Sequence, residues 1–374
     1  AFYRTKLTNI SFPESLIDIG ASSFSESSLT SVDISDSVTT INSMAFYKSS
    51  LVNINFTENS KLETIGSSAF SGCASITTFD MPDSVIELSY QAFSSCSSLA
   101  TVSLSSSLTQ INESVFSGCD SLLEINIPDN VVTIGVRAFS SCDLLNLVST
   151  TNNSKLTTIS TLAFNACINL TDIIIPNSIE VIANDALPLA NLNFNLSAGG
   201  KYLGNQTNKY LVLADTEITT FTTFTINSTC KIIYSDVFLA SSITEITIPN
   251  SVVYIGDSAF KNSGLVTVNM SNNVKVIENE AFSNTGLVNI SLPNTLLVLD
   301  YGVFSYCDSL VSITLPTEIE SIAGSLFEEC AALETVVIPS NSKIKTIGSK
   351  AFYNCESLKN IVLPDSLVHI SSYV

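Results

Sequence analysis

The stretch Ile65–Val85, IGSSAFSGCASITTFDMPDSV, sets Cys73 three residues after Phe70, among small residues and ahead of a Pro-Asp-Ser turn. Taken alone, such a cysteine could be a nucleophile, a metal ligand, half of a disulfide or packing. The same placement returns at Cys96, Cys119, Cys142, Cys167, Cys307, Cys330 and Cys355, always three residues after a Phe. A reactive centre needs different residue types converging, whereas this is one type repeated in register. The eight therefore read as a buried, reduced structural ladder, although spacing alone leaves disulfides between neighbouring units open.

Outward from that stretch, the anchor Phe recurs at 2, 24, 46, 70, 93, 116, 139 and 164, with Leu187 as a variant, and again at 238, 260, 282, 304, 327 and 352. The steps are 22 to 25 residues, apart from one of 51 between Leu187 and Phe238. Each unit reads L-x-x-[IV]-x-[IL]-P-x-[ST]-[VIL]-x-x-I-G-x-x-A-F-x-x-C-x-x-L. Its first part alternates apolar and polar, as in Leu122–Pro128 (LLEINIP), and predicts a short strand. Pro ends the pairing, and the Asp-Ser or Asn-Ser after it turns the chain. Gly66, Gly135, Gly256 and Gly348 are expected at a tight bend. One unit cannot bury its own Leu, Ile, Val and Phe, but stacked neighbours can, which predicts a solenoid with parallel strands about 4.8 Å apart.

Where Cys follows the Phe by three residues, the next apolar residue lies at six; where Ser or Thr stands there, it lies at five, as in Phe260-Ser263-Leu265 and Phe282-Thr285-Leu287. The longer turn is expected to direct its thiol inward, and the shorter one to leave a hydroxyl for nearby backbone. The 51-residue step divides the chain into an N-terminal repeat block 1–195, an insertion 196–220 and a C-terminal block 221–374, expected to form one continuous solenoid. In the insertion, KYLGNQTNKYLVL predicts a hairpin that projects from or caps the stack. Its Lys201, Tyr202, Lys209 and Tyr210 form a rare basic and aromatic concentration, read either as a spacer or as a ligand site. Cys230 falls at the Val252-equivalent position, a core substitution outside the ladder.

These motifs resemble the BspA-like leucine-rich repeats of surface proteins from mucosal bacteria and protozoa; IPNSVVYIGDSAFKNSGL (248–265) is a characteristic unit. The resemblance implies an α/β-type or mainly-β solenoid, a right-handed superhelix with a parallel concave β-sheet. It also implies adhesion or protein recognition at a cell surface or outside the cell, with extracellular matrix or host and bacterial surface proteins as partners. It transfers no ligand residues. An intracellular leucine-rich repeat scaffold is the alternative. The chain opens inside a repeat and stops midway through another, so targeting and anchor segments are expected outside it.

A net charge of −19 argues against nucleic-acid binding and against docking on anionic lipid. No apolar run is long enough to span a membrane. A single histidine, His369, removes His-based metal sites and makes a Ser-His-Asp or Cys-His centre improbable. No catalytic, cofactor or metal residues are assigned. Acids after Pro, such as Asp83, Asp129 and Asp365, fit turn chemistry better than a calcium loop. The binding candidates are the outward strand residues Asp33, Asn55, Asp80, Glu124, Asp172, Glu245, Asn269 and Asn289, together with Lys201, Tyr202 and Tyr210. Asn-x-Ser/Thr sequons, including those at Asn55, Asn169, Asn205 and Asn289, are as frequent as the composition alone produces.

Overall fold

A computed structural model describes residues 1–217 and 220–374; two residues of the expected insertion, Ile218 and Thr219, lie outside the described residues. The chain divides into two compact units, Ala1–Asn193 and Phe194–Val374. Each is a parallel β-solenoid, and between them they hold about 15 turns.

Most coils contribute a strand of three or four residues and a two-residue strand, while Asp172–Ile173 and Asn360–Ile361 join the longer-strand sheets with two residues each. In the first unit the longer strands include Ser31–Ile34, Asn53–Phe56, Thr78–Asp80 and Glu124–Asn126. Adjacent coils pair in parallel and in register, Val32 against Ile54 and Phe79 against Val102. Alternation places Phe79 and Ile125 inside while their neighbours face out. The two-residue strands, such as Thr64–Ile65 and Thr133–Ile134, stack on another side and bury one Ile each.

The third side is the Ala-Phe corner. Residues two before and two after each Phe take left-handed backbone angles, as at Ser22 (φ 54°) and Glu26 (φ 54°). For non-glycine residues that costs about 1–2 kcal/mol each. The cost is offset because alternate amides then point at the next coil: Ser22, Phe24 and Glu26 donate to the carbonyls of Ser43, Ala45 and Tyr47 at 3.0, 2.8 and 2.7 Å. The Phe rings stack along this corner, with Phe116 to Phe139 at 5.4 Å and Phe139 to Phe164 at 5.3 Å between centroids. From Phe46 to Phe327 the anchor rings are buried, worth about 1.5–3 kcal/mol apiece, while Phe2 is 40% exposed and Phe352 half-buried.

The glycines serve a different purpose from the expected bend. Gly66 and Gly135 lack the left-handed angle, but a Cβ on either would meet the preceding coil's backbone at 2.8 Å. Close approach of coils, not torsional freedom, is what requires glycine there.

The second unit opens with three strands that depart from the repeat. Asn195–Ser197 pairs antiparallel with Gly200–Leu203, and that strand pairs antiparallel with Val212–Thr216. Val212–Thr216 then runs parallel to Ile232–Ile233, so these strands continue the sheet of two-residue strands.

Candidate binding surface

The outer face of the longer strands carries the polar side chains that the repeat leaves unassigned. Asp80, Glu124, Asp172, Glu245, Asn269 and Asn289 are all exposed there, as are Asp33 and Asn55. Parallel register lines them into columns: Asp33 faces Asn55, Glu245 faces Thr267, and Asn289 faces Ser312. Within columns, short bonds cross between coils. Asn55 donates to Asp33 at 2.7 Å, Asn193 to Asp172 at 3.2 Å, and Asn269 to the Thr247 hydroxyl at 3.3 Å. No Lys or Arg lies in any of these longer strands among the described residues. Shallow grooves of about 530–540 Å³ run along the face, one beside Asn126 and Asp129, another beside Asn289, Ser312 and Thr335.

One further feature of the face was not anticipated. Val266, Val288 and Val311 follow the anchoring Leu in successive coils and are 44%, 42% and 39% exposed, forming an apolar column beside Thr267, Asn289 and Ser312. The signal was present as Val after Leu in three consecutive units. The turn acids, in contrast, are occupied within the stack. Asp83 accepts from the Ser106 amide at 3.0 Å and its hydroxyl at 2.9 Å, which holds its carboxyl below the usual range. Asp129 accepts from Thr151, and Asp36 from Thr57. Among the described residues no group of three His, Cys, Asp or Glu is placed to hold a metal ion.

At the insertion, the expectation for Tyr202 is corrected. Its ring is fully buried against Tyr210, and its hydroxyl accepts the Asn227 amide at 3.1 Å, so it presents nothing to a partner. Burial pushes its phenol up to about 12. Lys201 is paired with Asp215 at 2.8 Å and lies over the Phe194 ring, while Tyr210 stays half-buried. The pairing of strands here is antiparallel and outside the 22-residue register, so periodicity could not separate inward from outward positions.

The cysteine ladder is intrinsic to the corner. None of the cysteines is bridged, and all are buried except the half-buried Cys355. Each ladder thiol donates to the Phe carbonyl of the preceding coil: Cys73 to Phe46 at 3.0 Å, Cys96 to Phe70 at 3.1 Å, Cys119 to Phe93 at 3.3 Å. In the shorter turns, Ser263 and Thr285 donate instead to the Phe carbonyl of their own coil, at 2.7 and 2.9 Å. Where these two hydroxyls close a bond within their own coil, the ladder thiols link one coil to the preceding one. Burial drives the Cys73 thiol up to about 11 and Cys230 up to about 12, far from thiolate chemistry.

Stacked coils, in-register parallel strands and a Leu/Ile/Phe core define a leucine-rich-repeat solenoid, a protein-interaction module. The chain belongs to the BspA type leucine rich repeat region family, whose model matches residues 1–122, 63–193, 231–344 and 325–374. Among solved structures, it is similar to a leucine rich cell surface protein from Faecalibacterium prausnitzii, at 26% identity over 98% of this chain and 88% of that one, TM-score 0.36. A leucine-rich repeat protein from Bacteroides ovatus is 25% identical over 95% and 78% of the respective chains, TM-score 0.39. No curated protein matches the chain. Among the described residues no helix is long and apolar enough to cross a membrane.

Proposed function

We propose that the outer face of the longer strands recognises proteins, and that the chain is part of a cell-surface or secreted adhesion protein. Its partners would be host matrix proteins or the surface proteins of host cells and bacteria. The observation that carries the reading is the run of exposed Thr, Ser, Asn and carboxylate columns, with no Lys or Arg in the strands that bear them among the described residues. Such a surface offers many weak contacts and no single anchor, which suits avidity more than a tight pocket. Family membership supports a surface location.

The test is binding of the full chain, at micromolar concentration, to immobilised matrix proteins and whole cells. Saturable binding that falls at least tenfold in an Asp80→Asn, Glu124→Gln, Asp172→Asn variant supports the reading. Absence of binding across the panel, or binding indifferent to those three substitutions, sinks it.

One observation favours a second reading, an intracellular scaffold: every cysteine in the described chain is unbridged, as reducing compartments maintain. The two readings separate by fractionating the source cells and probing intact cells with antibody.

A further inference from the structure

We propose that the Ala-Phe corner of the coils at Phe304, Phe327 and Phe352 is a second interaction surface, and that it takes an arginine-bearing segment of a partner protein. It lies off the strand face, within the second unit, and stands whichever compartment holds the chain.

Packing at the corner needs only the Phe, the apolar residue before it and the Cys, Ser or Thr three places on. In the coils of Phe70, Phe93, Phe116 and Phe139 the two residues after Phe are accordingly Ser-Gly or Ser-Ser. In the coils of Phe304, Phe327 and Phe352 they are Ser-Tyr, Glu-Glu and Tyr-Asn, and Tyr301 stands three residues ahead of Phe304. Tyr301, Tyr306 and Tyr353 are 49%, 49% and 38% exposed.

Two of these rings are already held. Tyr301 lies against Gly324, where a Cβ would come within 3.3 Å of the ring, and its hydroxyl accepts from Ser325 Oγ at 2.9 Å. Tyr353 carries the Lys350 ammonium 5.3 Å from its centroid, and Lys350 is paired with Glu328 at 3.0 Å. Rings fixed before binding lose little freedom when a partner arrives.

Tyr306 differs. Among the described residues no ring or cation lies against it and its hydroxyl bonds nothing. Its amide donates to the Glu328 carbonyl at 2.7 Å and the Glu329 amide donates to the Tyr353 carbonyl at 2.8 Å, so Tyr306 and Glu329 occupy equivalent positions one coil apart. Glu329 accepts from Asn354 Nδ2 at 2.7 Å but, like exposed Asp308 and Glu356, is paired with no Lys or Arg among the described residues. An open aromatic face beside unpaired carboxylates complements guanidinium, which stacks flat on a ring while its N–H groups pair with a carboxylate. Lys350, on Tyr353 and Glu328, makes the same two contacts within the chain. The net charge of −19 repels nucleic acid and steers a cationic partner in.

The experiment is calorimetric titration of the full chain with a synthetic peptide of repeated Gly-Arg-Ser, beside a Gly-Lys-Ser peptide of the same length. Saturable binding of the arginine peptide is expected, weaker by about fivefold or more in Tyr306→Leu and by about threefold in Glu329→Gln. The lysine peptide, whose ammonium has no flat face to stack, should bind more weakly. The Asp80→Asn, Glu124→Gln, Asp172→Asn variant should bind the arginine peptide as the parent does, so failure of the strand-face reading leaves this result distinct. No saturable binding, equal binding of the two peptides, indifference to Tyr306→Leu, or loss of binding in the strand-face variant overturns the proposal. Where a corner variant fails to fold, the peptide should protect Tyr306 of the unsubstituted chain from nitration, and absence of protection overturns it equally.

Discussion

The Ala-Phe corner and the outer face of the longer strands belong to the same coils and follow different rules. At the corner each group meets the coil before and the coil after: Phe139 stacks on Phe116 and Phe164, and the Cys142 thiol bonds the Phe116 carbonyl at 3.2 Å. A residue that touches its own equivalents is forced to repeat. On the strand face, Asp80, Ser103 and Asn126 occupy equivalent outward positions of successive coils and are all exposed. Identity at the corner is set by packing; identity on the face is free of that constraint.

Substitutions can break that contrast. Phe139→Ala opens a cavity inside the ring stack and should cost about 3–5 kcal/mol; a shift of the urea midpoint worth less than about 1 kcal/mol, well under that range, would deny the stack its role. Gly66→Ala forces a Cβ to within 2.8 Å of the Asn42 and Ser43 backbone. An expected loss of about 1–3 kcal/mol follows from overpacking, read by the same titration. Cys119→Ala removes one inter-coil S–H bond and little volume, about 1 kcal/mol.

A pH experiment sharpens the contrast within the second unit. Glu278 occupies the slot that glycine fills at Gly256 and is half-buried beside Asp300 and Tyr254. Desolvation first, then the Asp300 charge, raises its carboxyl pKa above the unfolded value. The folded state therefore holds the proton more tightly, so this group's contribution is full below the ordinary carboxylate range and is lost as pH rises through the raised value. Thermal melts across that window should slope downward with pH for the natural chain and flatten in Glu278→Gln. The smallest effect is expected on the face: the Asp80→Asn, Glu124→Gln, Asp172→Asn variant should stay within about 0.5 kcal/mol of the parent, and a loss above 2 would place those residues in the stability of the coil.

This contrast also explains what could be read in advance. Strand alternation, the Phe anchors and the cysteine register were legible because stacking copies each contact into every unit. The glycine requirement was misattributed because the clash at Gly66 is with a neighbouring coil, which no local turn rule contains. Tyr202 was placed outside because the insertion has no second copy to compare with, and its burial depends on Asn227 and Tyr210. The valine column was visible as letters, but exposure at Val288 is a property of the stacked sheet.

The amide-to-carbonyl links of the corner have one further consequence. Phe24 donates to Ala45, Phe70 to Ala92, Phe116 to Ala138 and Phe282 to Val303, always from the earlier coil to the later. Peptide dipoles linked head to tail add, as along an α-helix, with the positive pole toward later coils. Each coil then polarises the next, and the corner of either unit is an electrically one-way stack whose bonds strengthen cooperatively with every turn added.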